Sequence, residues 1–120
     1  MEVYYLSSCS TCARIFKELK VEKYPFRIQD IKTEPITPKQ IDAMKKLAGS
    51  YEALFSRVAL KYRAWGLNTQ TLTEKDYRKY ILEEYTFLKR PVFIIGDQIY
   101  IGNAPKVIAA VGDALRKGAR

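Results

Sequence analysis

No histidine occurs anywhere in this chain of 120 residues. That absence removes every catalytic pair in which an imidazole takes the proton of serine or cysteine. Any nucleophile must then be activated by a helix dipole, backbone amides or arginine. Metal chemistry is thinned as well, because a structural zinc site takes about four protein ligands, and Cys9 and Cys12 are the only cysteines available. Two cysteines cannot build a disulfide framework either, and a chain of 120 residues buries enough surface to fold without one. Long apolar runs are also missing. The longest runs, Pro91 to Ile95 among them, are strand-sized, far short of the ~20 residues of a membrane span. Glu2 follows Met1 at once and the apolar stretch Val3 to Leu6 is short, unlike a secretory signal. The composition therefore predicts one soluble domain over residues 1–120, no membrane association and a cytosolic location. In that compartment paired cysteines are more often catalytic, regulatory or metal-binding than structural.

Acidic residues are scarce, 13 against 21 lysines and arginines, leaving a formal charge of +8. Such a surplus suits an anionic substrate or partner, or a nucleic-acid surface. The cations are scattered, however: Lys17, Lys20 and Lys23, then Lys45 and Lys46, then Lys89 and Arg90, then Arg116, Lys117 and Arg120. No dense cluster forms, so most of them read as a solvated surface.

What is present falls into an ordered series. Val3 to Leu6 is β-branched and aromatic, bounded by Ser7 and Ser8, and predicts a short strand. Ala13, Ile15, Phe16 and Leu19 follow helical spacing. Phe26 to Ile31 alternates apolar with polar residues, as a half-buried strand does. A strand, a helix and a second strand in so short a length form a βαβ unit with parallel strands. Thr37-Pro38-Lys39-Gln40 is a capping-box sequence with proline at the first helical position. It predicts a helix with Ile41, Met44, Leu47 and Ala48 on its apolar side, ended by Gly49-Ser50. A second helical stretch is expected from Tyr51 to about Ala64, with Leu54, Phe55, Val58 and Tyr62 inside and Gly66 as its stop. Thr73 and Asp76 cap a third helix carrying Tyr77, Tyr80, Ile81 and Tyr85. Pro91 to Ile95 and Gln98 to Ile101 are strands joined by Gly96-Asp97, a pair suited to a tight hairpin. Asn103 offers a cap to a last helix with Val107, Ile108, Val111 and Leu115 inside and Gly118 near its end. The predicted order is β-α-β, a helical insert over about residues 38–88, then β-β-α, which places the chain in the α/β (α+β) class.

The cysteines stand between the first strand and the first helix, three positions apart. A helix N-terminus carries about half a positive elementary charge, so a thiol there ionises below the free value of about 8.5. Only the thiolate is a good nucleophile, and a second thiol at i+3 is close enough to form a disulfide with it.

This order, with Cys9-x-x-Cys12 opening the first helix, resembles the thioredoxin fold, and the helical insert narrows the resemblance to the arsenate reductase and Spx family. It spans essentially the whole chain. The stretches that carry it are Tyr5 to Cys12, Ala53-Leu54-Phe55 leading to Trp65-Gly66-Leu67, the helix at Thr73, and Leu88-Lys89-Arg90-Pro91-Val92. The resemblance implies a thioredoxin-like mixed sheet in which Pro91 follows a cis peptide bond and shapes the substrate side of the site. It implies Cys9 as the nucleophile, Cys12 as the resolving thiol, and Arg90 as a guanidinium that pairs with the thiolate and binds an oxyanion. Ser8, Ser10 and Thr11 would cradle the thiolate or oxyanion with hydroxyls and amides. No cofactor is expected to be bound, and no metal; reducing equivalents would come from glutathione and glutaredoxin or from thioredoxin.

Departures from the pattern refine these expectations. Glutaredoxin-coupled arsenate reductases follow the nucleophile with Gly-Thr-Ser, whereas Ser10-Thr11-Cys12 stands here, and the second cysteine is shared with Spx. Of three arginines that those reductases place around the oxyanion, Arg90 matches one. The first falls on Ser56, beside Arg57, and the third near Ile101-Gly102. Each absent charged hydrogen bond forgoes roughly 1.5–3 kcal/mol, which disfavours efficient arsenate reduction. The expected activity is thus a thiol-dependent reduction of an oxyanionic or thiol-reactive small substrate. The alternative is an Spx-like redox switch that docks on the C-terminal domain of the RNA polymerase α subunit.

Overall fold

A computed structural model describes residues 1–118; Arg120, counted above among the terminal cations, lies outside the described residues. The chain forms two compact units, one made of Met1–Glu34 with the segment from Arg90 onward, the other of Pro35–Lys89.

The first unit holds strands β1 (Glu2–Tyr5) and β2 (Arg27–Asp30) around helix α1 (Ser10–Leu19). After the second unit it resumes with β3 (Val92–Ile95), β4 (Gln98–Ile101) and helix α5 (Pro105–Gly118). The sheet order is β2-β1-β3-β4. β1 pairs parallel with β2, as its helical crossover requires, and antiparallel with β3. The β3–β4 hairpin closes through Gly96, whose φ of 64° is open to glycine without strain. One sheet face presents Val3 and Phe93, which pack with Ile15 of α1 and with Val111 and Leu115 of α5. Phe16 stacks on Tyr5 at 4.7 Å, and Phe26 meets Phe93 edge-on at 5.6 Å. Burying each such aliphatic or aromatic side chain stabilises the unit by roughly 1.5–3 kcal/mol.

Two expectations fail in this unit. On β2 the alternation predicts Ile28 inside and Gln29 outside, yet Ile28 is 45% exposed and Gln29 is 3% exposed. β2 is an edge strand, so Ile28 shares the face of Val3 without being enclosed. Gln29 is buried on the other face because its Nε2 donates to the Glu34 carbonyl at 2.9 Å, which satisfies the amide. Asn103 does not cap α5: the first helical bond runs from the Ile108 amide to the Ala104 carbonyl, and Pro105 opens the helix.

The second unit holds helices α2 (Pro38–Ala48), α3 (Leu60–Ala64) and α4 (Glu74–Glu83). Both predicted capping boxes form. Thr37 exchanges hydrogen bonds with Gln40, and Thr73 with Asp76. Gly49 ends α2 at φ 93°. Ile41 and Met44 are fully enclosed, whereas Leu47, expected beside them, is exposed.

The helix expected from Tyr51 to Ala64 is absent. A 3-10 turn, Glu52–Leu54, gives way to an extended Phe55 that bridges Leu88, and α3 follows with only five residues. The bridge explains the break. Ser56 donates its amide to the Phe87 carbonyl at 2.7 Å, and Lys89 donates to Leu54 at 2.8 Å, bonds that a continuous helix would forbid. They set Phe55 among Phe87, Tyr77 and Tyr62, at 5.0, 4.9 and 5.9 Å between ring centres. Val58, expected inside, is 93% exposed as a result. Tyr85, assigned by spacing to the third helix, lies past its end in the 3-10 turn Tyr85–Phe87. Among the described residues no helix is long and apolar enough to cross a membrane.

Candidate active site

β1 ends at Tyr5, and the chain then turns through Leu6, Ser7 and Ser8 before entering α1. Cys9 closes that turn by donating its amide to the Leu6 carbonyl at 2.9 Å. Its own carbonyl accepts from the Ala13 amide at 3.1 Å, so Cys9 is the residue that caps α1, in extended conformation. The first turn of α1 carries no acidic side chain to oppose the positive end of the helix. Cys12, one turn in, is completely buried, and Cys9 is half-buried. Neither is in a disulfide.

The two thiols are driven apart in acidity. Burial pushes Cys9 up, but this is outweighed by hydrogen bonds from the Cys12 amide, the Cys12 thiol and the Thr11 amide, together with the charge of Arg90. The net direction is down from the ordinary thiol value. Cys12 is pushed up to about 11, first by burial, and further by its hydrogen bond to Cys9 and by the charge there. A backbone hydrogen bond from Leu6 and the charge of Arg90 oppose that rise. When the pair gives up one proton, the accessible sulfur of Cys9 therefore loses it first and the enclosed Cys12 keeps its own.

The sheet brings Arg90 to this place. β3 runs antiparallel to β1 with Val92 opposite Tyr4, so the residues preceding β3 lie at the end of the sheet from which β1 feeds the cysteines. The Arg90-Pro91 peptide bond is cis, Pro91 is buried, and its carbonyl accepts from the Gly102 amide at 2.9 Å. Cys9, Cys12, Thr11 and Arg90 therefore act on one another. Ser8 and Ser10 flank Cys9 in exposed positions, while the hydrogen bonds to its sulfur come from Thr11 and Cys12. Ser56 and Arg57 belong to the second unit, where Arg57 is engaged with Glu52 at 2.7 Å and the Tyr77 hydroxyl at 2.8 Å. Among the described residues no group of three His, Cys, Asp or Glu side chains could hold a metal ion.

Two participants escaped the sequence reading. The backbone of Leu6 bonds to the Cys12 thiol, which no residue type signals. Asp30, at the end of β2, binds Ser7 ahead of the cysteines. Its signal was the parallel pairing of β1 and β2, which sets Asp30 opposite Tyr5.

The profile of the ArsC family matches residues 4–111, a stretch that includes both cysteines, Arg90 and Pro91. The chain belongs to the ArsC family. Solved structures agree with that fold. An arsenate reductase from Vibrio cholerae superposes with a TM-score of 0.76 at 15% identity, over 92% of this chain and 98% of its own. An arsenate reductase related protein from Brucella melitensis gives 0.70 at 20% identity, over 91% of each chain. A Staphylococcus aureus protein gives 0.73 at 23% identity, over 91% of this chain and 95% of its own. No curated protein matches the sequence significantly. Within the ArsC family, then, this member joins a Cys-x-x-Cys pair at the helix cap to the arginine that precedes a cis-proline.

Proposed function

We propose that this ArsC family member is a thiol-dependent reductase with Cys9 as nucleophile and Cys12 as resolving thiol. The observation that carries the reading is the division of acidity between them: Cys9 is held down by amides, a thiol and Arg90, and Cys12 is buried and held up. The Cys9 thiolate attacks the electrophilic atom of an oxyanionic or thiol-reactive small substrate. Arg90 neutralises the substrate's charge through paired hydrogen bonds, and Ser8, Ser10, Thr11 and Pro91 shape the surface around it. With an oxyanion, sulfur replaces one oxygen, which leaves as water after taking up protons. Cys12 then releases its proton and attacks the Cys9 sulfur. The sulfur–sulfur bond forms, the bond from Cys9 to substrate breaks, and its electron pair leaves with the substrate's central atom, now reduced by two electrons. Thioredoxin, or glutathione with glutaredoxin, returns two electrons and two protons to the Cys9–Cys12 disulfide. The expected cytosolic location supplies both donors.

Relatives named as arsenate reductases favour an oxyanion, and the single matching arginine favours one of lower charge than arsenate or a disulfide in its place. Turnover with arsenate and with small mixed disulfides, coupled to each donor, tests the reading. Cys9→Ser is expected to abolish turnover, and Cys12→Ser to accumulate a Cys9 adduct. Activity no higher in the wild-type protein than in folded Cys9→Ser overturns it. A second reading is favoured by the i+3 cysteine shared with Spx: the disulfide would alter a surface that docks on RNA polymerase, at the C-terminal domain of its α chain. Redox-dependent retention of polymerase without turnover would select it.

A further inference from the structure

The turn that delivers Cys9 to the helix is held from outside itself. Its two ends are fixed by the β1–β2 pairing, through the Ile31 amide on the Tyr5 carbonyl at 3.0 Å, and by the Cys9 amide on Leu6. Between those ends Ser7 is gripped by one carboxylate. The Ser7 hydroxyl donates to Asp30 Oδ2 at 2.5 Å, and the Ser7 amide approaches Asp30 Oδ1 at 3.4 Å. The carboxylate is itself anchored, because Oδ1 accepts from the Lys32 amide at 3.2 Å. The Asp30 carbonyl also accepts from the Glu34 amide at 2.8 Å, which fixes the turn after β2. A charged acceptor with several donors makes stronger bonds than neutral pairs do. Ser7 and Asp30 are exposed or partly so, and nothing in the core calls for their bond. Its geometric effect falls on the segment two residues ahead of the nucleophile.

Resting on the reading of Cys9 as nucleophile, we propose that Asp30 is a positioning residue: by holding Ser7, it aims the Cys9 sulfur at the Thr11 and Cys12 amides of the first turn of α1. Those amides align with the sulfur only while the turn keeps its shape, so freeing Ser7 weakens the stabilisation of the thiolate. The carboxylate has a second, opposite influence. Its negative charge disfavours a neighbouring thiolate, so removing charge while keeping the tie pushes Cys9 down rather than up. The two roles therefore separate by sign.

The test follows the pH dependence of Cys9 alkylation by iodoacetamide in the reduced protein, with peptide mapping to separate Cys9 from Cys12. Ser7→Ala removes the hydroxyl tie and keeps the charge. It is expected to raise the Cys9 midpoint by about half a unit to one unit and to slow alkylation about threefold to tenfold at pH values below the wild-type midpoint. Asp30→Asn keeps an acceptor for Ser7 without the charge and should lower the midpoint. Asp30→Ala loses tie and charge together and should raise it by less than Ser7→Ala does, the double variant should match Asp30→Ala, and Ser7→Thr should keep wild-type behaviour. Thermal melts establish that each variant is folded, and Ser7→Ala carries the test if Asp30→Ala is not. An unchanged midpoint in Ser7→Ala overturns the proposal. So does a lowered midpoint in both Asp30→Ala and Asp30→Asn, which would make Asp30 a through-space charge only. A wild-type midpoint at the free-thiol value instead overturns the nucleophile reading itself, so the two failures are distinguishable.

Discussion

The unit made of the sheet with α1 and α5 and the unit made of α2, α3 and α4 are held by different means. In the first, aliphatic and aromatic side chains from two helices converge on one sheet face. Backbone hydrogen bonds there organise a chemical centre whose charge is set to within one turn of helix. In the second, helices are started by capping boxes and joined through an aromatic cluster around Phe55 and Phe87. Ion pairs such as Arg78 with Asp42, and Lys61 with Glu84, tie its elements together. The first unit carries Cys9, Cys12 and Arg90; the second carries large rings and surface charge. The difference predicts that damage to one unit is read in activity and damage to the other in stability.

Cys9→Ser should give the largest effect of any single change. Loss of the proposed nucleophile is expected to reduce turnover and alkylation at this position at least a thousandfold, with the unfolding midpoint in urea nearly unmoved. A large loss of stability would mean that the thiolate is also structural, and the proposed division of labour would fail at its centre.

Phe55→Ala attacks the other unit. Phe55 is fully buried with rings on three sides, and its truncation is expected to cost about 3–5 kcal/mol. Urea unfolding followed by far-ultraviolet dichroism measures it. The comparison sharpens if the Cys9 alkylation midpoint stays where it was, and breaks if that midpoint rises with the loss of stability.

How far the sequence revealed each unit follows the same line. The βαβ start, the Gly96-Asp97 hairpin and the placement of both cysteines were legible, because each depends on residues adjacent in sequence. Arg90 and Pro91 were legible through resemblance to a family motif. In the second unit, Thr37 with Gln40 and Thr73 with Asp76 were legible for the same local reason. The segment from Tyr51 to Ala64 was not, since its apolar spacing fits a helix and only the distant partners of Leu54 and Ser56, at Lys89 and Phe87, overrule it. Val58 was therefore set inside when it faces solvent. Gln29 and Asp30 were missed for a related reason. Both act through neighbours that β2 acquires only once it pairs and turns.

The buried thiol adds a pH test of intermediate size. Cys12 in the folded chain holds its proton to about 11, well above the free value of about 8.5. In that window the unfolded chain has released the proton and the folded chain has not. The unfolded state then binds fewer protons, and stability falls as pH rises from about 8.5 to about 11. Below that window the contribution is constant. Subtracting the pH profile of Cys12→Ser removes the lysine and tyrosine titrations common to both proteins. A flat difference profile would mean that the enclosure of Cys12 does not govern its ionisation.

The smallest expected effects separate local from tertiary support. Thr37 and Thr73 are exposed caps, each accepting from the backbone amide three residues on, at 3.1 and 3.3 Å. Replacing either with alanine should cost about 1 kcal/mol, readable as a fall of a few degrees in Tm, while serine in either place should retain most of it. Because α4 places Tyr77 against Phe55 and α2 has no ring in that cluster, the two caps should differ when each is combined with Phe55→Ala. In a background that has already lost the ring, the Thr73 cap and the cluster support one helix, so their losses overlap and the double variant falls short of the sum. Thr37→Ala with Phe55→Ala should instead add fully. Equal additivity in both pairs would show that α4 is held by its own cap alone and that the aromatic cluster does not reach it.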